Sequence, residues 1–550
     1  MSTPRLHGWP VRLVRVLSAE GPLGWWLQAE LRRDHGIQAL RDLFPGARAP
    51  LSDIERPLQA GPPRQWEDQQ LGPPTSLGPR EGALALRTAY LREETTPEEV
   101  LARLRDRIEQ RAFGESTHSP FVALDWEGAA RAAEESATRY RVGRQFGPLD
   151  GVPIPIKDHH PMSGLPMQAG TSAKVISRND SAAVAALRAG GAILFGKTHT
   201  TEWGLSPIGN NSQHAMPRNP YRRDRAAGGS STGSAAAVAL GLSPVALGSD
   251  AGGSIRIPAA LTGILGLKPT YRRISRTGDL WGGNTVAHNG PMGQTVQDLV
   301  DFMTVATVLD SDDPAQAAAP DWPVPAAAWW RAVGRGIRGC RIGLVRWAFA
   351  DAPPAIAKAC RLALAALERE GATLVEIDVP LVEHAGAMGI LVVGSELVSG
   401  LLDLPHDLRT GEDVRLQLQL LREVAVEDLL AASRMRPVLR EQLAHALRSV
   451  DLLALPSVAD VAPRYDLAED RQPLIDGKAI RALVRYSFPA SLAGLPAGSV
   501  PVGMIGDLPT GLQLIGDAWD EASVFAAMAH LERIGVTALP SPSGFANLTR

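Results

Sequence analysis

Helix-forming and strand-forming segments alternate along this sequence, and that alternation constrains its fold more than any other feature. An apolar-faced helix at residues 182–188 is followed by a buried-strand segment at 192–195. The order recurs as a strand at 341–347, a helix at 355–369 and a strand at 372–379. Segments in this order pack as layers, so the sequence predicts an α/β fold.

Outside these alternating segments the sequence is less regular. Residues 1–80 place tryptophans among prolines and arginines without a sustained period, which indicates an N-terminal extension of unknown role. Helical order begins at residues 96–99, where a capping box includes proline at the first helical position. Residues 310–336 are rich in Ala, Pro and Asp and are predicted to be a surface linker.

Charge, cysteine count and hydropathy exclude several classes of function. The formal net charge of −3 over 550 residues gives no general attraction to nucleic acid. Cys340 and Cys360 are too few for a disulfide framework or a Cys-rich zinc site, and both are predicted to be buried. No uninterrupted run of about 18 apolar residues occurs, and residues 1–27 lack the apolar stretch of a secretory signal. We therefore expect a cytoplasmic protein without a membrane span.

Two familiar motifs occur in the wrong context. Residues 191–198 match the phosphate-loop pattern, but four apolar residues occupy the loop and a helix precedes it, which favours a buried strand. Residues 228–232 come close to the nucleophile elbow of α/β-hydrolases, which needs a strand leading into its serine. The preceding residues 219–227 are polar and include a proline, so a Ser-His-Asp hydrolase is disfavoured.

A pair of glycine-flanked serines fits its context better. Ser230 lies within residues 228–234, ahead of an alanine-rich helix, and Ser254 follows 24 positions later within residues 250–258. Flexible linkers share this composition, but linkers do not normally alternate with a helix and a strand. The two serines are therefore predicted to be presented from tight backbone turns.

These residues carry a resemblance to a known family. The stretch 228–270 resembles the Gly/Ser-rich signature of the amidase signature family, and residues 147–158 are similar to the segment that holds its catalytic lysine. Residues 508–516 resemble a C-terminal strand of the family. The resemblance spans residues 81–535 as a catalytic domain, leaves 536–550 as a C-terminal tail, and implies a central mixed β-sheet covered by helices on both faces.

The resemblance implies a catalytic triad in which Ser254 is the nucleophile, Ser230 the bridging serine after a cis peptide bond, and Lys157 the base. The position of Lys157 directly after the apolar run 152–156 predicts the end of a buried strand. Lysine accepts a proton only when neutral, so Lys157 must be buried among neutral groups. A structural role is therefore expected for Asp158. The resemblance also implies an oxyanion hole made by the backbone amides of Ala251, Gly252, Gly253 and Ser254.

Other residues receive supporting roles. Asp250 and Arg256 are predicted to form a polar pair near the nucleophile turn. His159 and His160 stand where the family commonly has asparagine after the Lys-Asp pair, but no carboxylate cluster accompanies them, so neither a metal nor a cofactor is expected. The candidate substrate-binding residues lie in segments that the family folds near its cavity, although core packing explains them equally well: Trp203, Trp281, His288 and Met292.

The predicted function is hydrolysis of a carboxylic amide through an acyl-enzyme on Ser254, with a small molecule as the substrate. A carbamate, an anilide or an ester would suit the same machinery. Two alternatives stay open: an ammonia-transferring amidotransferase A-type subunit that works with a partner, and a non-catalytic binding protein on the same fold. Homo-oligomerisation is also left open.

Overall fold

A large mixed β-sheet organises the protein. The computed structural model describes residues 5–17, 36–37, 39–40, 58, 71, 81–110, 118–280, 284–317, 326–401 and 410–549. The strands of the sheet are β1 (Phe121–Leu124), β2 (Pro153–Lys157), β3 (Ile193–Thr198), β4 (Val245–Asp250), β5 (Leu265–Lys268), β6 (His288–Gly293), β7 (Arg341–Val345), β8 (Thr373–Ile377), β9 (Leu452–Pro456), β10 (Ala497–Ile505) and β11 (Leu508–Ile515). Among the described residues these eleven strands lie in the order β8-β7-β9-β11-β10-β5-β6-β4-β2-β3-β1.

Helices flank this sheet and connect its strands. Alternating residues of β9 enter two different apolar clusters, Leu452 one and Leu453 the other, because successive strand side chains point to opposite faces. The predicted α/β fold is thereby confirmed. The helices are α1 (Trp9–Leu17), α2 (Ala83–Leu91), α3 (Pro97–Gln110), α4 (Trp126–Arg141), α5 (Ala182–Ala189), α6 (Thr232–Ala239), α7 (Arg256–Thr262), α8 (Val296–Ala306), α9 (Pro314–Ala317), α10 (Ala326–Val333), α11 (Arg346–Asp351), α12 (Pro354–Arg369), α13 (Ala385–Leu401), α14 (Glu412–Arg422), α15 (Val426–Leu447), α16 (Gly477–Val484), α17 (Phe488–Ala493) and α18 (Glu521–Arg533).

The pairing of the strands divides the sheet into parallel and antiparallel parts. Strands β2, β3 and β4 run parallel to one another, as do β7, β8 and β9. Antiparallel pairs join these two groups through β11, β10, β5 and β6. The parallel group β2-β3-β4 is the part that holds the residues of interest.

The capping box at the start of α3 is confirmed. The Glu99 backbone N–H donates to Thr96 Oγ1 at 3.3 Å, and the Thr96 N–H donates to Glu99 Oε2 at 3.2 Å. These reciprocal bonds satisfy backbone donors that a helix start otherwise leaves free. Val100 and Leu104 on the inner face are completely buried, so the helix packs on the core.

The predicted linker at 310–336 is wrong for its C-terminal part. Residues 326–333 form α10, and the Trp329 side chain is 1% exposed. Its ring meets Phe525 of α18 edge to face at 6.3 Å, and burial of so large an aromatic surface holds the helix against the core. Residues 318–325 lie outside the described part. Cys340 and Cys360 are both buried, which confirms the prediction, and neither forms a disulfide.

Most of the predicted N-terminal extension lies outside the described residues. Within it, the short strand Leu6–His7 pairs antiparallel with Leu474–Ile475, and Arg5 donates to the Glu469 carboxylate at 2.7 Å. Three tryptophans on which the prediction depended, Trp25, Trp26 and Trp66, are not among the described residues. The assignment of residues 1–80 as a separate extension stays a prediction.

One helical stretch bears on the expectation that no segment spans a membrane. In the described part of the chain, Pro380–Leu401 is the one stretch of helix whose length and composition would let it cross a bilayer. Within its most apolar window, 56% is buried against the rest of the protein. A core helix meets the same criterion, so this stretch is weak support for a membrane span.

Candidate active site

Three parallel strands end together at one edge of the sheet. Lys157 is the last residue of β2, Thr198 of β3 and Asp250 of β4, with Ile156 and Leu247 aligned between β2 and β4. Ligand sites of α/β sheets lie at the carboxyl ends of parallel strands. The candidate site therefore forms at the edge where the apolar run of β2 ends in a lysine.

Lys157 is completely buried, in agreement with the sequence-based expectation. Its Nζ lies 2.7 Å from Ser230 Oγ and 2.9 Å from Ser249 Oγ. Burial lowers the pKa of Lys157 to about 7, and the positive charge of Arg276 acts in the same direction against the opposing effect of Asp250. A substantial fraction of this amine is therefore uncharged at neutral pH.

The turn before α6 presents Ser230 to Lys157. The Gly229–Ser230 peptide bond is cis, as the resemblance implies. The Ser230 carbonyl accepts from Thr200 Oγ1 at 3.0 Å, and the Ser231 N–H donates to the Ser254 carbonyl at 3.2 Å. The second of these bonds joins the turn that carries Ser230 to the turn that carries Ser254.

The turn that carries Ser254 requires its glycines. Gly253 has φ of 116°, and a Cβ added there would meet Ile257 Cδ1 and Ser487 Oγ at 2.5 Å. A Cβ on Gly252 would meet the Phe488 ring at 2.7 Å. Larger residues at either position would displace the backbone of the turn.

The backbone amides of this turn divide into two groups. The Gly253 N–H donates to Asp250 Oδ1 at 2.7 Å. No acceptor within the described ranges receives the N–H of Ala251, Gly252 or Ser254, and these three residues line a common cavity. The turn therefore offers three free donors beside the cavity, and the fourth is already used.

Asp250 and Arg256 form the predicted polar pair. Arg256 donates to both carboxylate oxygens, with Nη2 at 2.8 Å from Oδ1 and Nε at 2.9 Å from Oδ2, and both side chains are fully buried. Burial alone would raise the pKa of Asp250, but Arg256 and the Gly253 N–H hold it below its usual range. The ionised carboxylate orients the turn because it accepts hydrogen bonds from the N–H groups of Gly253 and Ile255.

Removal of Arg256 should therefore destabilise the fold strongly. Arg256→Leu leaves a buried carboxylate without its counter-ion, and we expect the free energy of unfolding in urea to fall by about 3–5 kcal/mol. Arg188→Leu is the matched control: this side chain is 44% exposed where it pairs with Asp180, so its loss should cost under ~1 kcal/mol. Equal losses of unfolding free energy in the two variants would contradict the role of Arg256 as the counter-ion of Asp250.

A cavity of about 120 Å³ lies in front of these turns. Trp203, a predicted substrate-binding residue, lines it and is 5% exposed. His288 and Met292 are absent from its lining: His288 lies behind the site, with Nδ1 3.3 Å from the Asp250 carbonyl, and Met292 packs in an apolar cluster with Val238. Trp281 lies outside the described residues. The lining includes His159, Trp203, Leu205, Ser230, Ser249, Ala251, Gly252, Ser254, Arg276, Val393, Leu397 and Phe488.

Asp158 and His160, which follow Lys157 closely in the chain, have partners of their own. Asp158 pairs with Lys197 at 2.8 Å in a buried ion pair, consistent with the expected structural role. His160 Nδ1 lies 2.7 Å from Asp279 Oδ1. In the described part of the chain, no group of three or more His, Cys, Asp and Glu side chains is arranged to hold a metal ion.

Sequence reasoning missed several residues of the site, among them Ser249 and Arg276. Ser249 contacts Lys157 Nζ, and Arg276 lines the cavity near it. A hydroxyl in the buried strand β4 was a usable signal for Ser249, because buried polar groups need hydrogen-bond partners. Arg276 gave no such signal, since its segment has no regular period.

Comparisons with known proteins place the chain. The family model described as Amidase matches residues 99–525. The fatty acid amide hydrolase of Arabidopsis thaliana is 34% identical over 82% of this chain and 76% of its own length. The A subunit of glutamyl-tRNA(Gln) amidotransferase from Chloroflexus aggregans (strain MD-66 / DSM 9485) is 35% identical over 75% of this chain and 88% of its own length.

A solved structure agrees with these matches. Native peptide amidase from Stenotrophomonas maltophilia superposes with a TM-score of 0.69 and 27% identity over 84% of this chain and 98% of that one. The relatives include an amide hydrolase and a component of an amidotransferase, so the chemistry of the chain is amide hydrolysis or amidotransfer. With more than half of its length matched by the family model, the chain belongs to the amidase family, the amidase signature enzymes.

Proposed function

We propose that residues 81–535 form a cytoplasmic amidohydrolase domain that cleaves a carboxylic amide through an acyl-enzyme on Ser254. The observation that carries the proposal is the buried Lys157 amine, which lies 2.7 Å from Ser230 Oγ and has its pKa lowered to about 7, so that a substantial fraction is uncharged at neutral pH. A buried neutral amine beside a serine hydroxyl is the base that serine activation requires. Two cysteines that form no disulfide favour the reducing compartment.

In the proposed acylation, Ser254 Oγ attacks the carbonyl carbon. Its proton passes to Ser230 Oγ, while the Ser230 proton passes to Lys157 Nζ. The tetrahedral intermediate then collapses, and the same route in reverse delivers a proton to the leaving nitrogen. Water attacks the acyl-enzyme by the same proton path and releases the carboxylic acid. Lys157 is neutral again at the end of each half-reaction.

The oxyanion donors follow from which backbone N–H groups of the turn have no acceptor among the described residues. Ala251, Gly252 and Ser254 have free N–H groups beside the cavity, whereas Gly253 donates to Asp250. We assign the oxyanion hole to the three free donors and give Gly253 the role of fixing their direction. Preorganised donors of this kind each contribute about 2.7–4 kcal/mol to transition-state stabilisation in measured cases.

The cavity wall indicates the acyl group. Trp203, Leu205 and Phe488 supply an apolar lining, which suits an apolar or aryl acyl group of modest size. The experiment is a screen of matched amides, anilides, carbamates and esters against the purified chain. Turnover of an amide with an apolar acyl group supports the proposal, and no turnover of any member of the series would contradict it.

The second candidate is the ammonia-transferring function, favoured by the 35% identity to an amidotransferase component. The two functions differ in what the chain does alone. An independent amidohydrolase releases ammonia from primary amides without a partner. If ammonia release from glutamine occurs only when the other components of an amidotransferase are present, the second function is the correct one.

The pH profile provides a further prediction. Lys157 acts as a base only when deprotonated, so kcat/KM should rise with pH through about 7 and level off above it. Arg276→Met removes a positive charge that favours the neutral amine, which raises the pKa of Lys157 and moves the rise to higher pH. The measurement is kcat/KM between pH 5.5 and 9.5 for both proteins. An unmoved profile would show that Arg276 does not act on Lys157.

A further inference from the structure

The ring of His159 has an unsatisfied nitrogen at the wall of the cavity. The side chain lines the cavity and is 7% exposed, and its Nε2 is buried without a hydrogen-bond partner among the residues described. The backbone holds the residue firmly, because its N–H donates to the Lys157 carbonyl at 2.8 Å and its carbonyl accepts from Leu280 at 3.1 Å. A buried polar atom in this position lacks a partner that a bound ligand can supply.

His159 borders the same space as the Ser230 hydroxyl. A Cβ placed on Gly204 would lie 2.7 Å from His159 Cε1 and 3.4 Å from Ser230 Oγ. Gly204 has φ of 75°, a conformation that favours glycine, and a side chain there would collide with the imidazole ring. Because His159, Gly204 and Ser230 all line the cavity, the imidazole and the hydroxyl border the same part of it.

The charge state of the ring decides what it does there. Burial lowers the pKa of His159 well below its usual value, and the neighbouring Lys157, His160 and Arg276 act in the same direction. The ring is therefore neutral at neutral pH, and a neutral imidazole has one nitrogen that accepts a hydrogen bond. It is not a source of protons in that range.

We propose that His159 is a specificity-determining residue that accepts a hydrogen bond from the N–H of the leaving group. The inference rests on the proposed function, in which the proton for the leaving nitrogen arrives through Ser230. The leaving nitrogen must then lie next to Ser230 Oγ, which is the volume that His159 borders. Amides with hydrogen on the leaving nitrogen satisfy the imidazole, whereas esters have no such hydrogen. His159 thus selects amides over esters of the same acid.

The test compares a primary amide and a methyl ester of one aryl-substituted carboxylic acid. In His159→Leu, kcat/KM for the amide should fall about tenfold relative to the ester, because one hydrogen bond to the leaving group is lost. His159→Gln keeps an acceptor oxygen and should recover part of the ratio. Both substrates are measured on one preparation, so a change in the folded fraction cancels from the ratio.

Leu205→Ala is the matched control, since it changes the volume of the same cavity without altering a hydrogen-bonding group. This variant should change kcat/KM for the amide and kcat/KM for the ester by a similar factor. An amide-to-ester ratio in His159→Leu equal to that of the unmodified protein would overturn the role of His159 while leaving the proposed hydrolysis intact. Failure of the unmodified protein to hydrolyse either substrate would overturn the proposed function itself, and this inference with it.

Discussion

Ser254→Ala is expected to lower kcat for amide hydrolysis by roughly 10⁴- to 10⁶-fold, the scale of nucleophile deletions in other serine hydrolases. The substitution removes the one oxygen that forms the acyl-enzyme, and no other group in the turn replaces it. The unfolding midpoint should stay close to that of the unmodified protein, because the change removes a single atom from a cavity wall. Activity and thermal unfolding are therefore measured on the same preparation.

A serine-reactive fluorophosphonate gives the same prediction a second readout. The unmodified protein should carry the adduct on Ser254, located by peptide mass analysis, and Ser254→Ala should not be labelled. Ser163→Ala, at an exposed serine outside the cavity, is the control and should keep full activity and labelling. An adduct on a different serine would refute the assignment of the nucleophile, and no labelling at any serine would favour a non-catalytic binding protein.

Lys157→Met is expected to have the second largest effect, with a loss in kcat/KM approaching that of Ser254→Ala. The variant removes the amine next to Ser230 Oγ but keeps an apolar side chain of similar length, so the buried site stays filled. Ser254 then has no base to take its proton during attack. Measurement of kcat/KM from pH 6 to 10 should show that the rise near pH 7 disappears.

Lys157→Arg separates the charge from the proton transfer. Arginine keeps the positive charge, but its pKa above about 12 prevents it from acting as a base, so it should not restore activity. Lys157→Ala with normal activity at neutral pH would show that another group is the base. Rescue by arginine would show that the site needs a cation and not a neutral amine.

Local patterns were enough to predict the elements that hold the site. The apolar run before Lys157 predicted a buried strand end, and the structure has β2 ending at that residue with every position buried. The capping box at Thr96 predicted the start of α3, and its two reciprocal bonds are present. Such signals are readable because backbone hydrogen bonding and side-chain burial within one element depend on neighbouring residues.

Contacts between distant segments were not readable in this way. Ser249 lies 92 positions from Lys157, yet their side chains are 2.9 Å apart because β2 and β4 are neighbours in the sheet. Trp329 was assigned to a linker because its surroundings are rich in alanine and proline, and only packing against Phe525 makes that segment a buried helix. Strand pairing across a sheet and packing between helices join residues that are far apart in the chain. They therefore leave no periodic pattern in the local sequence.

The sequence by itself determined the α/β class, the buried position of Lys157 and the glycine-bordered turns that carry Ser230 and Ser254, because each follows from residues adjacent in the chain. The tertiary structure alone decided how those parts meet. Strand order places the lysine amine beside Ser230. Asp250, paired with Arg256, accepts the Gly253 N–H, whereas in the described part of the chain the other three amides of the turn keep free N–H groups. Burial by the whole fold then lowers the pKa of Lys157 to about 7, since desolvation depends on every layer packed around the amine.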